Sequence, residues 1–273
     1  MSAAESQRAS FEQRGWCILR EFMPPASLAA LKAALGEYMT GLELGNIKAD
    51  GRHVKWAADG SRSRPQLLVN MVEMELLPPD EMRRWLDVGW ALLGEECRIM
   101  TNEATGSRLQ YFDKPQGVSE PTPPHQDQFY FNIMPARALT MWLALDPVDT
   151  TNGCLQYVSG SHLGHRTRPH VGTTIKGMSS MVEWSADDEL NAEDIILAPG
   201  DLCCHHVCTV HRASANNDAT GGGGGGGAAH RRAFSLVVQG LSTGRDQAAH
   251  NRMRARENPA LRVSQAPGQQ AKL

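Results

Sequence analysis

The chain has 273 residues, 41% of them apolar, and its 27 lysines and arginines stand against 30 aspartates and glutamates for a formal charge of -3. That is enough for one sizeable core with decorations, as all-β barrels often form, and the interspersed charge offers no field to capture nucleic acid or an anionic membrane. No run approaches the roughly 18 apolar residues of a membrane span, MSAAESQRAS lacks a secretory pattern and the six cysteines form no framework, so a soluble intracellular protein with reduced thiols is expected.

Residues 15–22, GWCILREF, predict a short strand, and Pro24-Pro25 then open an amphipathic helix through LAALKAALGEYM, because proline is tolerated in the first turn. A second helix is predicted from Pro79 to Cys97, where Met82, Trp85, Leu86, Val88, Gly89, Leu92 and Leu93 recur at roughly helical spacing. Both are expected to buttress a sheet. Residues 41–70, mixed in charge and without a period, read as a loop or lid. Trp56, Arg62 and Arg64 lie there, and a solvated loop is the plainer reading for them than substrate contact.

From Arg98 onward the pattern changes to short runs punctuated by turns: RLQYF, QFYFNI, ALTMWLAL, CLQYV, DIILA, DLCCHHVCTV and AFSLVVQG. Many short strands without alternating helices predict a sandwich or jelly roll, with turns at Asn152-Gly153 and Pro199-Gly200-Asp201. The glycine run within 218–229 reads as a flexible insertion, and the polar stretch 246–273 as a disordered tail. Residues 1–245 are therefore expected to form one domain, helical and lid-rich to 97, with a β-barrel core over 98–240.

His125-Gln126-Asp127 is the sharpest motif. Residues two apart on a strand share a face, so His125 and Asp127 can converge on one ion. An isolated H-x-D is common, but here His211 follows the Pro199-Gly200-Asp201 strand and Arg231-Arg232 open another. Two imidazoles and a carboxylate hold iron(II) with three positions open for a chelating cosubstrate and oxygen, and an arginine from the returning sheet grips a distal carboxylate. The same strand parity selects Phe129 and Phe131 for the pocket and a substrate. Cys203-Cys204-His205-His206-Val207-Cys208 invites a zinc reading, yet alternate residues on a strand face opposite ways, which favours core residues and imidazoles near the metal. His205, six residues before His211, is the rival ligand.

PHQD, MWLALDPVDTTNGCLQYVSGSH, PGDLCCHHVCTVHRAS and RRAFSLVV together resemble the phytanoyl-CoA dioxygenase family, over Gly15 to Gly240. The resemblance implies a mainly β fold, a double-stranded β-helix of the jelly-roll or cupin-like kind, holding Fe(II) and using 2-oxoglutarate and O2. It assigns iron to His125, Asp127 and His211, and the cosubstrate to Arg231, with Arg232 as the alternative. Gln126 and Trp142 match pocket-lining positions, Lys114 matches a position approaching the cosubstrate, and His206 matches a histidine near the metal but not on it. Gly160-Ser161-His162 resembles a structural signature. Relatives often carry a small G-S or S-S pair after the distal histidine; here Arg212-Ala213-Ser214 stands, leaving Ser214 as the replacement hydroxyl. Halogenating relatives lack a carboxylate at the position of Asp127, so hydroxylation of an unactivated carbon in a small molecule is the implied reaction, with succinate and CO2 released. The alternatives are a barrel that binds without turnover and a cupin-like metalloenzyme that does not use 2-oxoglutarate. Ala271-Lys272-Leu273 resembles a peroxisomal address, which implies that compartment in a eukaryote and the cytoplasm otherwise. No motif names a substrate or an oligomeric state.

Overall fold

The computed structural model describes residues 2–45, 54–56, 65–69, 77–102, 106–107, 109–117, 119–173, 180–217 and 230–257. The N-terminal part holds α1 (Ala3–Arg14), β1 (Trp16–Leu19), α2 (Pro25–Glu43), β2 (Val54–Trp56), β3 (Pro65–Val69), α3 (Pro79–Leu93) and β4 (Cys97–Ile99). Next come β5 (Thr101–Asn102), β6 (Gly106–Ser107), β7 (Gln110–Pro115), β8 (Thr122–His125), α4 (Asp127–Phe131), β9 (Ile133–Met134), β10 (Ala138–Ala144) and β11 (Leu155–Val158). The chain continues through β12 (His170–Gly172), β13 (Ser180–Val182), α5 (Ala186–Asn191), β14 (Ala192–Ile195), β15 (Leu202–His206), β16 (His211–Ala213), β17 (His230–Gly240), β18 (Gly244–Arg245) and α6 (Gln247–Glu257).

Two antiparallel sheets make the jelly roll. The larger runs β1-β15-β10-β17-β7-β3-β2, with β4 also pairing β17, and the smaller runs β14-β11-β16-β8. Strand alternation divides the side chains of the larger sheet. Leu139, Met141, Leu143, Cys204, Phe234, Leu236 and Val238 face outward onto Leu28, Leu31, Leu35, Trp85 and Leu92 of α2 and α3. Trp142, Ala144, Cys203 and Ala233 face inward onto Leu155, Tyr157, Ile195 and Ala213 of the smaller sheet. Because both faces are covered, every residue of β10 is buried, which explains why ALTMWLAL reads as a continuous apolar run.

Both predicted helices are present and cover the larger sheet. The second is shorter than expected: Gly94 closes α3 in the left-handed region at φ 74°, and Cys97 already starts β4. A helix that periodicity does not announce precedes them. α1 buries only Phe11 and is set instead by its ends, a Ser2–Glu5 capping box and a left-handed Gly15.

Two expected strands are corrected. QFYFNI is mostly the short helix α4 followed by β9, because Asn132 at φ 53° closes one helical turn and Gln128 ties its side chain to the backbone of Ile133. DLCCHHVCTV breaks after His206, where the Thr209 amide bonds back to the His206 carbonyl, and His211 begins a new strand in the other sheet. The tail expected to be disordered from 246 is helical over Gln247–Glu257, where Met253 is buried. β2 and β3, within the stretch expected to be a lid, extend the larger sheet. Arg62, Arg64, the 218–229 insertion and Ala271-Lys272-Leu273 lie outside the described residues. No helix among the described residues is long and apolar enough to cross a membrane.

The Asn152-Gly153 turn shows how tightly the sheets are tied. Gly153 has φ 86°, and a Cβ there would stand 2.5 Å from the Ser214 carbonyl oxygen. Gly153→Ala is expected to destabilise the fold by about 1–3 kcal/mol through backbone strain. A urea melt with an unchanged midpoint would refute this tie.

Candidate metal centre

β8 ends on His125 and β16 begins on His211, and antiparallel pairing sets these two residues directly opposite each other. Their ring centroids are 4.1 Å apart. Gln126 keeps an extended backbone at φ -124° and ψ 131°, so Asp127, the first residue of α4, still turns to the same side as His125. One ligand atom from each of His125, Asp127 and His211 lies within 4.8 Å of the others, the one such cluster of His, Cys, Asp and Glu among the described residues.

Each ligand is oriented from behind. His125 donates Nδ1–H to the Pro123 carbonyl at 2.9 Å, and His211 donates Nδ1–H to the Thr209 carbonyl at 3.0 Å. In both cases Nε2 is left for the centre, the usual way a protein fixes a metal-binding tautomer. Burial, with His125 and His205 alongside, pushes the His211 imidazole well below its usual value, which keeps it neutral. Burial would raise the Asp127 carboxyl, but the imidazoles of His125 and His205 beside it and the nearby His211 hold it well below the usual carboxylate range. Two imidazoles and an ionised carboxylate form a donor set that fits iron(II) with adjacent positions open.

The other end of the barrel interior is cationic. β17 and β7 pair Arg231 with Lys114, both buried. The Arg231 guanidinium carbon stands 5.2 Å from the centre of the Trp142 ring, and its buried Nε has no hydrogen-bond partner among the described residues. Burial pushes Arg231 down to about 10. Lys114 donates to the Ser214 carbonyl at 2.6 Å and the Glu120 carbonyl at 2.9 Å. Burial and then Arg231 push its amine down to about 6. Arg232 points the other way and grips Asp146 at 2.7 and 2.8 Å, so of the two arginines it is Arg231 that enters the barrel. Ser214 is exposed and reaches Lys114 through its carbonyl.

Several expected placements change. Gln126 is fully buried, and its amide is used on backbone: Nε2 donates to the carbonyls of Cys208 at 2.6 Å and Arg166 at 3.1 Å, and Oε1 accepts from the Arg168 amide at 2.7 Å. It braces the motif against the 166–168 segment. Strand parity fails for Phe129 and Phe131 because they lie on a helical turn. Phe129 stacks on His170 at 4.0 Å, and Phe131 is buried with Met100, Ile133 and Val237. His206 faces away from the centre, against Phe11, His162 and His165, while its neighbour His205 lies 3.0 Å from Asp127. That alternation also splits the Cys/His run between two faces, as expected for a strand and not for a zinc knuckle. His162 donates to the Glu12 carbonyl at 3.1 Å, tying α1 to the barrel. His170, Thr140 and Tyr157 belong to the site without any motif to mark them; for Thr140 the signal available was its inward parity with Trp142.

The family profile for phytanoyl-CoA dioxygenase (PhyH) matches residues 11–220. The chain belongs to that family. The Danio rerio protein named phytanoyl-CoA dioxygenase domain-containing protein 1 is 31% identical over 112 residues, covering 39% of this chain and 38% of the relative's own length. Among solved structures, EvdO2 from Micromonospora carbonacea var. aurantiaca complexed with 2-oxoglutarate superposes with a TM-score of 0.65 at 25% identity, over 90% of this chain and 94% of that one. The epimerase SnoN in complex with Fe3+, alpha ketoglutarate and nogalamycin RO has the same fold, with a TM-score of 0.61 at 22% identity over 99% and 92% of the two chains.

The two arginines make opposite demands on stability. Arg232→Met strips a part-buried carboxylate of its main partner and is expected to lower the unfolding free energy by about 1–3 kcal/mol. Arg231→Met removes a buried cation with an unpartnered Nε and is expected to leave the protein as stable or more so. Urea titration of both variants checks this, and the reverse ranking would make Arg231 a structural residue.

Proposed function

We propose that the protein is an Fe(II)- and 2-oxoglutarate-dependent dioxygenase that hydroxylates an aliphatic carbon of a small molecule, with release of succinate and CO2. One observation carries the reading. A buried arginine whose Nε has no partner among the described residues lies with Lys114 inside the same barrel that clusters His125, Asp127 and His211. A barrel that binds without turnover needs no such combination, and a cupin-like centre without 2-oxoglutarate needs no buried cation.

In this reading His125 Nε2, Asp127 and His211 Nε2 hold the iron. Arg231, steadied over Trp142, takes the far carboxylate of 2-oxoglutarate, with Lys114 beside it. Bound iron and 2-oxoglutarate supply the oxidative chemistry; the protein's part is to bind, orient and exclude water. Burial of both ends serves this, since each charge acts across a medium of low polarity. Asp127 fills the position that a halide would need, which favours hydroxylation over halogenation.

Titrating anaerobic protein first with Fe(II) and then with 2-oxoglutarate is expected to produce the visible metal-to-ligand charge-transfer band. Arg231→Met is expected to weaken 2-oxoglutarate by about 2–5 kcal/mol. Bound iron with no band in the parent would overturn the 2-oxoglutarate reading. Substrate conversion would then be read by mass: gain of one oxygen atom supports hydroxylation, whereas an isomer of unchanged mass would favour epimerisation.

Proton linkage gives an independent check. The Lys114 amine, held down to about 6, is neutral at about pH 8. A carboxylate bound beside it raises that value again, so binding takes up as much as about one proton at that pH and none once the solution is acidic enough to charge the free amine. Calorimetry in buffers of different ionisation enthalpy is expected to show the uptake in the parent and not in Lys114→Met. Equal uptake in both would remove Lys114 from the cosubstrate site.

A further inference from the structure

Asp127 does more than point one oxygen at the metal. Its Oδ1 lies 3.6 Å from His125 Nε2, on the side of the cluster, while Oδ2 accepts from the Thr140 hydroxyl at 2.5 Å and from His205 Nε2 at 3.0 Å. Thr140 and His205 are direct neighbours across β10 and β15. The larger sheet therefore grips Oδ2, while the smaller sheet carries His125 and His211.

His205 is itself held. It is 2% exposed, and its Nδ1 lies 2.8 Å from the hydroxyl of Tyr157, which is wholly buried and sits 3.3 Å from the Cys203 thiol. Tyr157 comes from β11 and lies directly opposite His211 in the smaller sheet, so the contact spans the barrel. The ionised Asp127 can only accept, which makes His205 Nε2 the donor. With its proton on Nε2, the ring can accept the Tyr157 O–H at Nδ1, which leaves the Tyr157 oxygen able to accept the Cys203 S–H. In that arrangement the protons of Cys203, Tyr157 and His205 all point toward the carboxylate, and successive hydrogen bonds reinforce one another.

Direct ligation by His205 fits the geometry poorly. Its nitrogens do not join the cluster formed by His125, Asp127 and His211, and its Nε2 is committed to Asp127. A fourth protein ligand would also fill a position that the proposed cosubstrate and oxygen need. So would Asp127 if it closed onto the metal through both oxygens, and two donors on Oδ2 oppose that closure.

We propose that His205, fixed by Tyr157, is a positioning residue that restricts Asp127 to ligation through one oxygen and so keeps the open metal positions open. The proposal rests on the metal reading above. It is tested on the full chain with cobalt(II) alone, under nitrogen and without 2-oxoglutarate, by reading affinity in competition with a chelator and the shape of the d–d absorption. His205→Phe is expected to bind cobalt about 10- to 100-fold more weakly with an altered spectrum, whereas His205→Gln, which keeps an N–H donor, stays within about threefold with the parental spectrum. Tyr157→Phe, which keeps the ring and loses only the hydroxyl, is expected to fall between them.

Parental affinity and spectrum in His205→Phe would overturn the proposal. So would a His205→Gln protein as weak as His205→Phe with a spectrum that has lost a nitrogen donor, since that result makes His205 a ligand. Should circular dichroism show His205→Phe unfolded, Tyr157→Phe decides, and parental behaviour there overturns the role. A parent that takes up no cobalt would sink the metal reading itself and this inference with it.

Discussion

Antiparallel pairing of β16 with β8 sets His211 opposite His125, and the rest of the centre depends on holding those two short strands in register. A slip of one residue would turn one imidazole out of the barrel. The register is held from several sides. β11 pairs β16 along its outer edge, Gln126 fastens the ligand motif to the Cys208 carbonyl just before β16, and Gly153 lets its turn close on the backbone leaving that strand. Packing far from the metal, including Trp85 edge-on to Phe22 and Phe234, holds the larger sheet against its helices.

The barrel interior is divided electrostatically. One end concentrates an ionised carboxylate between two imidazoles, and the other presents the Arg231 guanidinium beside the Lys114 amine, which burial and that guanidinium hold down to about 6. Both are unfavourable to bury alone, and both are relieved by a ligand of opposite sign. A cation at one end and a dianion bridging to the other would satisfy the whole interior at once. Outward on β17, Arg232 pairs with Asp146, and His230 Nδ1 lies 2.8 Å from Asp113 of β7. Alternation along β17 thus separates the Arg232–Asp146 ion pair from the inward Arg231 one residue away.

Ligand-bearing elements and bracing elements also come from different sheets. The smaller sheet supplies both imidazoles, whereas Thr140 and His205 of the larger sheet orient the carboxylate. The metal centre therefore senses the spacing of the two sheets, which the apolar layer of Trp142, Ala233, Leu155 and Ile195 sets. This links core packing to ligand geometry by contact.

Much of this was legible in the residues. Apolar periodicity marked α2 and α3, short β-type runs marked the barrel, and the order His125-x-Asp127, His211, Arg231 carried the metal cluster and the inward cation. Those features are local or depend on the order of parts, and the chain states them directly. The sequence could not show that α4 would interrupt a run of aromatics, since a five-residue helical turn is fixed by the left-handed Asn132 and a side-chain tie more than by any period. Nor could it show that DLCCHHVCTV would leave one sheet and enter the other after His206. Pairing of β15 with β10 put His205, and not His206, beside Asp127, and the crossing segment gave Gln126 the Cys208 carbonyl to brace against. Residue types and their order determined what chemistry is available here; which side of each strand faces the metal, and which neighbour holds each ligand, was decided by the packing of two sheets, because facing is a property of pairing and not of the chain alone.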